Sequence, residues 1–125
     1  MIKTIITENA PAAIGPYAQA VEVNGCLYTS GQIALRPDGT FVEGDIHAQI
    51  AQVLSNLDAV LQAADVARNQ IVKATIFVTD LKDFEAVNQA YGAFLGDHRP
   101  ARSTVQVAAL PRGARVEIEL IAQRA

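Results

Sequence analysis

Ile71-Val72-Lys73-Ala74-Thr75-Ile76-Phe77-Val78-Thr79 is the stretch on which the fold of this chain turns. It is rich in β-branched residues, an extended conformation puts Val72, Ala74, Ile76 and Val78 on one side, and Asp80 ends it. It therefore reads as the principal strand. On its N-terminal side Ile50, Val53, Leu54, Leu57, Val60, Leu61 and Ala64 fall on one helical stripe, with Asp45 placed as the cap and an end near Asp65. On its C-terminal side a second helix is predicted over residues 83–95, presenting Phe84, Val87, Tyr91 and Phe94 or Leu95, with Gly96 as its stop.

Further out, residues 3–7, 17–23, 26–32, 102–108 and 115–122 read as strands. Asn24-Gly25 joins the second and third, because both residues tolerate the positive φ of a type I′ turn. That turn would set Val23 against Cys26, Val21 against Tyr28, Gln19 against Ser30 and Tyr17 against Gln32. Tyr17 and Ser30 would then be diagonal neighbours on one face, unless a bulge precedes Gly31. In the last strand Val116, Ile118 and Leu120 face one way and Glu117 and Glu119 the other. The order β-β-β-α-β-α-β-β predicts an α+β fold with about six strands in a mixed sheet and two helices on one face. Ile71, Phe77 and Ile121 are expected on the other face, and a second copy of the chain is the simplest cover for them.

The composition narrows the function. The 125 residues carry a formal net charge of −3, 18% charged residues and 50% apolar ones, which excludes a disordered chain and sets the sequence against nucleic-acid binding. One Cys cannot form a disulfide within the chain, and no apolar run approaches the roughly 20 residues a membrane helix needs. The N-terminal residues do not form a secretory signal, so a cytoplasmic setting is expected. His47 and His98 lie in no metal-binding spacing, there is no phosphate-binding Gly-rich loop, and Cys26 has no nearby His, so no cofactor is expected.

A few polar residues remain at strand ends and helix faces. Arg102 follows Pro100-Ala101 at the start of a strand, where it is either a surface ion-pair partner or an anchor for a carboxylate. Glu117 is either a solvated strand acid or a group that activates water. Asn88 could bond a loop or a ligand, and Ser30-Gly31-Gln32 could be a turn or a site of close backbone approach.

At these same residues the sequence resembles the Rid (YjgF-type) family of reactive-intermediate deaminases, and most closely its RidA branch. The matching blocks are Ala13-Ile14-Gly15-Pro16-Tyr17, Ser30-Gly31-Gln32, Phe77-Val78-Thr79-Asp80-Leu81, Asp83-Phe84 with Val87-Asn88 and Tyr91, Pro100-Ala101-Arg102-Ser103, and Val116-Glu117-Ile118-Glu119. They run nearly end to end, as one Rid domain over residues 1–125. The resemblance implies a chorismate-mutase-like fold assembled as a homotrimer with clefts between subunits. It implies hydrolysis of small 2-imino acids and their enamines, such as 2-iminobutanoate and 2-iminopropanoate released by pyridoxal-phosphate enzymes, to 2-keto acids and ammonia without a cofactor. Carried over by position, Arg102 would bind the substrate carboxylate, Glu117 would position or activate water, and Tyr17, Ser30, Gly31 and Asn88 would line the cleft. A non-catalytic regulator that binds small carboxylates is the alternative. A third reading is a ribonuclease or chaperone-like role, reported for some relatives; the acidic balance and the lack of a basic stripe argue against the nuclease. Two positions depart from the pattern: Thr104 stands where many members carry a cysteine, and Asp65 where a glycine often ends the first helix.

Overall fold

A computed structural model describes residues 1–125. Its strands are β1 (Lys3–Ile5), β2 (Ala20–Val23), β3 (Cys26–Thr29), β4 (Ile71–Val78), β5 (Ala101–Gln106) and β6 (Val116–Gln123), and its helices are α1 (Ile46–Ala63) and α2 (Phe84–Leu95). The strands form one six-stranded sheet in the order β1-β2-β3-β6-β4-β5. β4 and β5 are parallel and joined through α2, while the other neighbours pair antiparallel. The sheet is mixed, as expected.

Helix α1 begins where the Asp45 carboxylate accepts the Ala48 amide at 2.9 Å. It ends in a Schellman motif, with Val66 N–H donating to the Leu61 carbonyl at 2.9 Å and Asp65 N–H to that of Gln62 at 3.0 Å. Asp65 supplies the left-handed residue at φ 56°. Ile50, Val53, Leu57, Val60 and Leu61 are buried against Leu27, Ala74, Ile76, Val78, Ile118 and Leu120 in one core. Each such side chain contributes about 1.5–3 kcal/mol on leaving water. Val87, Tyr91 and Leu95 of α2 join the same core, so both helices cover one face of the sheet. The other face carries Tyr28, Thr75, Phe77, Glu117, Glu119 and Ile121, half-buried or exposed.

Two bulges correct the expected register. Ile71 pairs with Ala122 and Lys73 with Ile121, leaving Val72 as an extra residue. Ile71 therefore enters the core at 2% exposure, whereas Val72 is 50% exposed and does not share the face of Ala74. In β3, Tyr28 pairs with Ile121 but Gln32 pairs with Ile118, four steps along one chain against three along the other. The Thr29 hydroxyl fills the gap by accepting the Leu120 amide at 2.9 Å. Asn24 and Gly25 adopt φ 52° and 77°, and Val23–Cys26 and Val21–Tyr28 pair as the turn predicts. Beyond Ala20–Thr29 only Ser30 N–H still reaches the Gln19 carbonyl, at 2.9 Å, and Tyr17 does not face Gln32.

Buried polar side chains then hold the loops. The Gln19 carboxamide accepts from Thr7 N–H at 2.8 Å and donates to the carbonyls of Thr7 and Pro11 at 3.0 and 2.8 Å. Asn56, fully buried on α1, donates to the carbonyls of Ile33 and Leu35. Arg115 at the head of β6 grips Asp83 at the start of α2 through Nη2 and Nε, at 2.7 and 3.2 Å. These contacts fix the segments before β2, after β3 and before β6; Tyr17, Ser30 and Gly31 lie in the first two.

Candidate functional site

The strand pairings decide where Arg102 and Glu117 point. Arg102 sits beside Ala74 and Thr104 beside Ile76, and those β4 residues face the helices. Arg102 is accordingly on the helix face, where its Nη1 donates to the Asn88 Oδ1 on α2 at 2.5 Å. Its guanidinium carbon lies 5.5 Å from the Phe84 ring centre and 5.7 Å from that of Tyr91. No carboxylate pairs with it. Two aromatic faces and an amide oxygen thus hold a cation whose remaining N–H groups are open to a ligand. Asn88, Tyr91, Gly92, Arg99 and Arg102 border a hollow of about 530 Å³ here.

Glu117 sits beside Phe77, on the opposite face of the sheet. It lines a second hollow, of about 610 Å³, with Tyr17, Ser30, Gly31, Pro111 and Arg112, and Ile14, Ile33 and Leu35 form its apolar wall. Gly31 leaves the Glu117 carboxyl group its place: a β-carbon there would lie 2.7 Å from the Glu117 Cδ and would push that side chain aside. Burial, reinforced by the negative charge of Glu119, raises the Glu117 pKa above the ordinary glutamate value. Ser30 spends its hydroxyl proton on the Ala18 carbonyl at 2.5 Å and so faces the hollow as an acceptor. Tyr17 is 55% exposed at the rim. Tyr17 and Ser30 do meet in one hollow, and Ser30 is held to the segment that carries Tyr17 by its amide bond to Gln19 and its hydroxyl bond to Ala18.

The six residues singled out in the sequence therefore fall into two half-sites, Arg102 with Asn88 and Glu117 with Tyr17, Ser30 and Gly31, on opposite faces of the sheet. Three further residues that the sequence does not mark for these half-sites lie beside them. Tyr91 and Phe84 were assigned to the apolar stripe of α2, yet both rings flank Arg102. Arg112, to which the sequence alone gives no role, adopts φ 63° at the rim of the Glu117 hollow. A positively charged residue forced into the left-handed region was the signal available, once the Pro111–Gly113 turn was known.

A six-stranded mixed sheet with two helices on one face and a divided polar site defines a class of small α+β proteins. The chain belongs to the YjgF/Rid family: residues 7–124 match the family model described as endoribonuclease L-PSP. It is 50% identical over 127 aligned positions to 2-iminobutanoate/2-iminopropanoate deaminase of Escherichia coli K12, spanning 99% of each chain. To the mouse protein of the same name it is 49% identical over 121 positions, covering 96% of this chain and 90% of that one. The crystal structure of YyfA from Yersinia pestis, a Rid protein described as of unknown function, superposes with a TM-score of 0.97 at 52% identity, covering 99% of this chain and 100% of that one.

Proposed function

We infer that the chain is a cytoplasmic 2-imino acid deaminase that hydrolyses 2-iminobutanoate, 2-iminopropanoate and their enamines to 2-keto acids and ammonia, without a cofactor. One observation carries the chemistry: the Arg102 guanidinium is held by Asn88 and two aromatic rings, with no carboxylate of its own. Such a cation takes the carboxylate of a small acid in two parallel hydrogen bonds and so fixes the neighbouring imine carbon. The activity named for relatives of about half identity agrees with this reading.

The steps balance without an added reagent. Glu117, with its raised pKa, accepts a proton from water as the oxygen adds to the C=N carbon. With the imine nitrogen protonated this gives the neutral carbinolamine; the proton on Glu117 passes to nitrogen, the hydroxyl proton returns to Glu117 as the C=O bond forms and the C–N bond breaks, ammonia leaves, and Glu117 then releases that proton to solvent. General-base help of this kind supplies about 10²–10⁴-fold. Because Arg102 and Glu117 lie on opposite faces of one sheet, the cleft is completed between copies, with Arg102 and Asn88 from one and Glu117, Gly31, Ser30 and Tyr17 from its neighbour. A homotrimer closes three such clefts. The exposed or half-buried apolar groups Tyr28, Phe77, Val105 and Ile121 supply the surface it would bury.

The test generates 2-iminobutanoate from threonine with a dehydratase and follows its decay. The chain should accelerate decay, and Arg102→Ala should reduce kcat/KM by at least ~10²-fold with the fold intact. Unchanged decay with firm binding of 2-oxobutanoate would make the chain a carboxylate-binding regulator instead.

A further inference from the structure

The Arg102 hollow holds more positive charge than a monocarboxylic acid can use. Arg99, three residues upstream, borders the same hollow. Its Nη1 donates to the carbonyls of Gly96 and His98, at 2.6 and 2.8 Å, which fixes the side chain and leaves Nε and Nη2 free. Like Arg102, it pairs with no carboxylate, whereas Arg68, Arg115 and Arg124 each do. Tyr91 borders the hollow as well, at 4% exposure, and its hydroxyl is buried with no hydrogen-bond partner. An unpartnered buried O–H is unfavourable until a partner answers it. Both Arg99 and Arg102 act on that phenol electrostatically, so its oxygen lies within the field of the two cations. The α2 backbone leaves room here, since nothing stands within 4 Å of where a Gly92 side chain would begin.

We propose that Arg99 and the Tyr91 hydroxyl form a second anion subsite beside Arg102, which makes 2-imino dicarboxylic acids substrates of this chain. The proposal rests on the deaminase reading and names a substrate class within it. Arg102 keeps the carboxylate next to the imine carbon. The distal carboxylate accepts from Arg99 Nε and Nη2, and from the Tyr91 O–H once the side chains that cover it turn aside to admit the ligand. Water adds to the C=N carbon as before, the C–N bond breaks, and a 2-keto dicarboxylate and ammonia leave.

A matched pair of four-carbon imines isolates the effect. 2-Iminobutanoate ends in a methyl group and 2-iminosuccinate, generated from aspartate by a flavin oxidase, ends in a carboxylate. The unaltered protein should hydrolyse 2-iminosuccinate with a kcat/KM at least equal to that for 2-iminobutanoate. Arg99→Gln should lower the ratio of the two at least tenfold, and Tyr91→Phe about fivefold. Calorimetry with succinate and butanoate gives a readout apart from turnover, and Arg99→Gln should weaken succinate at least tenfold more than butanoate. Turnover of 2-iminobutanoate with none of 2-iminosuccinate, or an equal loss on both in Arg99→Gln, would overturn the subsite and leave the deaminase reading standing. Turnover of neither imine would overturn both.

Discussion

Glu117 is the residue proposed to activate water, and its surroundings set its charge. Burial and the Glu119 charge both disfavour its ionised form, so its pKa stands above the ordinary glutamate range. A base must be unprotonated to act, and a raised pKa means that protonation sets in at a higher pH. The acid limb of kcat/KM should therefore lie above the usual carboxylate range. Removing the Glu119 charge with Glu119→Gln should move that limb to lower pH, whereas an unmoved limb would assign it to another group. Gly31 offers a second probe. It is not in the left-handed region, so alanine strains no backbone there, but the added methyl displaces the Glu117 carboxyl group. Gly31→Ala should cost about 10²-fold in kcat/KM while the melting temperature stays within a few degrees. A fully active Gly31→Ala would show that the Glu117 position is immaterial.

At the scale of elements, most of the architecture was legible because period and capping agree. The α1 stripe, its Asp45 cap and the alternation of Val116, Ile118 and Leu120 all lie where the sequence puts them. Val72 was misread because a bulge shifts side-chain parity without changing composition. The expected Tyr17–Gln32 pairing failed for the same reason, since Gln32 leaves the hairpin to bridge Ile118. The faces of β5 were not legible at all: Ala101–Gln106 is an edge strand with no apolar alternation, and only its pairing with β4 shows that Arg102 turns toward α2. Arg102 and Glu117 themselves stood out by family resemblance, since spacing alone left each a plausible surface charge. The departure at Asp65 was legible and has a measurable consequence. Its φ of 56° is one that glycine adopts without a Cβ penalty, and Arg124 already donates to the neighbouring carbonyls of Ala64 and Asp65. Asp65→Gly should stabilise the protein by about 0.5–1 kcal/mol, read from the denaturation midpoint at fixed protein concentration with m unchanged. A lowered midpoint would mean that the Asp65 side chain does more than fill the cap.

For the whole molecule, the division of the site is the decisive feature. Neither hollow alone encloses a ligand from both sides, and a sheet separates the cation from the acid within one chain. If each cleft draws Arg102 from one subunit and Glu117 from the next, two inactive variants can repair one another. Arg102→Ala subunits still offer Glu117, and Glu117→Gln subunits still offer Arg102. In trimers reassembled at random from equal amounts, a cleft is intact when its Arg102 comes from the second variant and its Glu117 from the first. That occurs in about a quarter of clefts, so the mixture should recover about a quarter of the unaltered activity while each variant alone stays near background. Sedimentation should give a trimer mass for all three preparations. A mixture no more active than its parts, with the subunits demonstrably exchanged, would mean that Arg102 and Glu117 do not act across an interface, and the opposed half-sites would then need separate ligands.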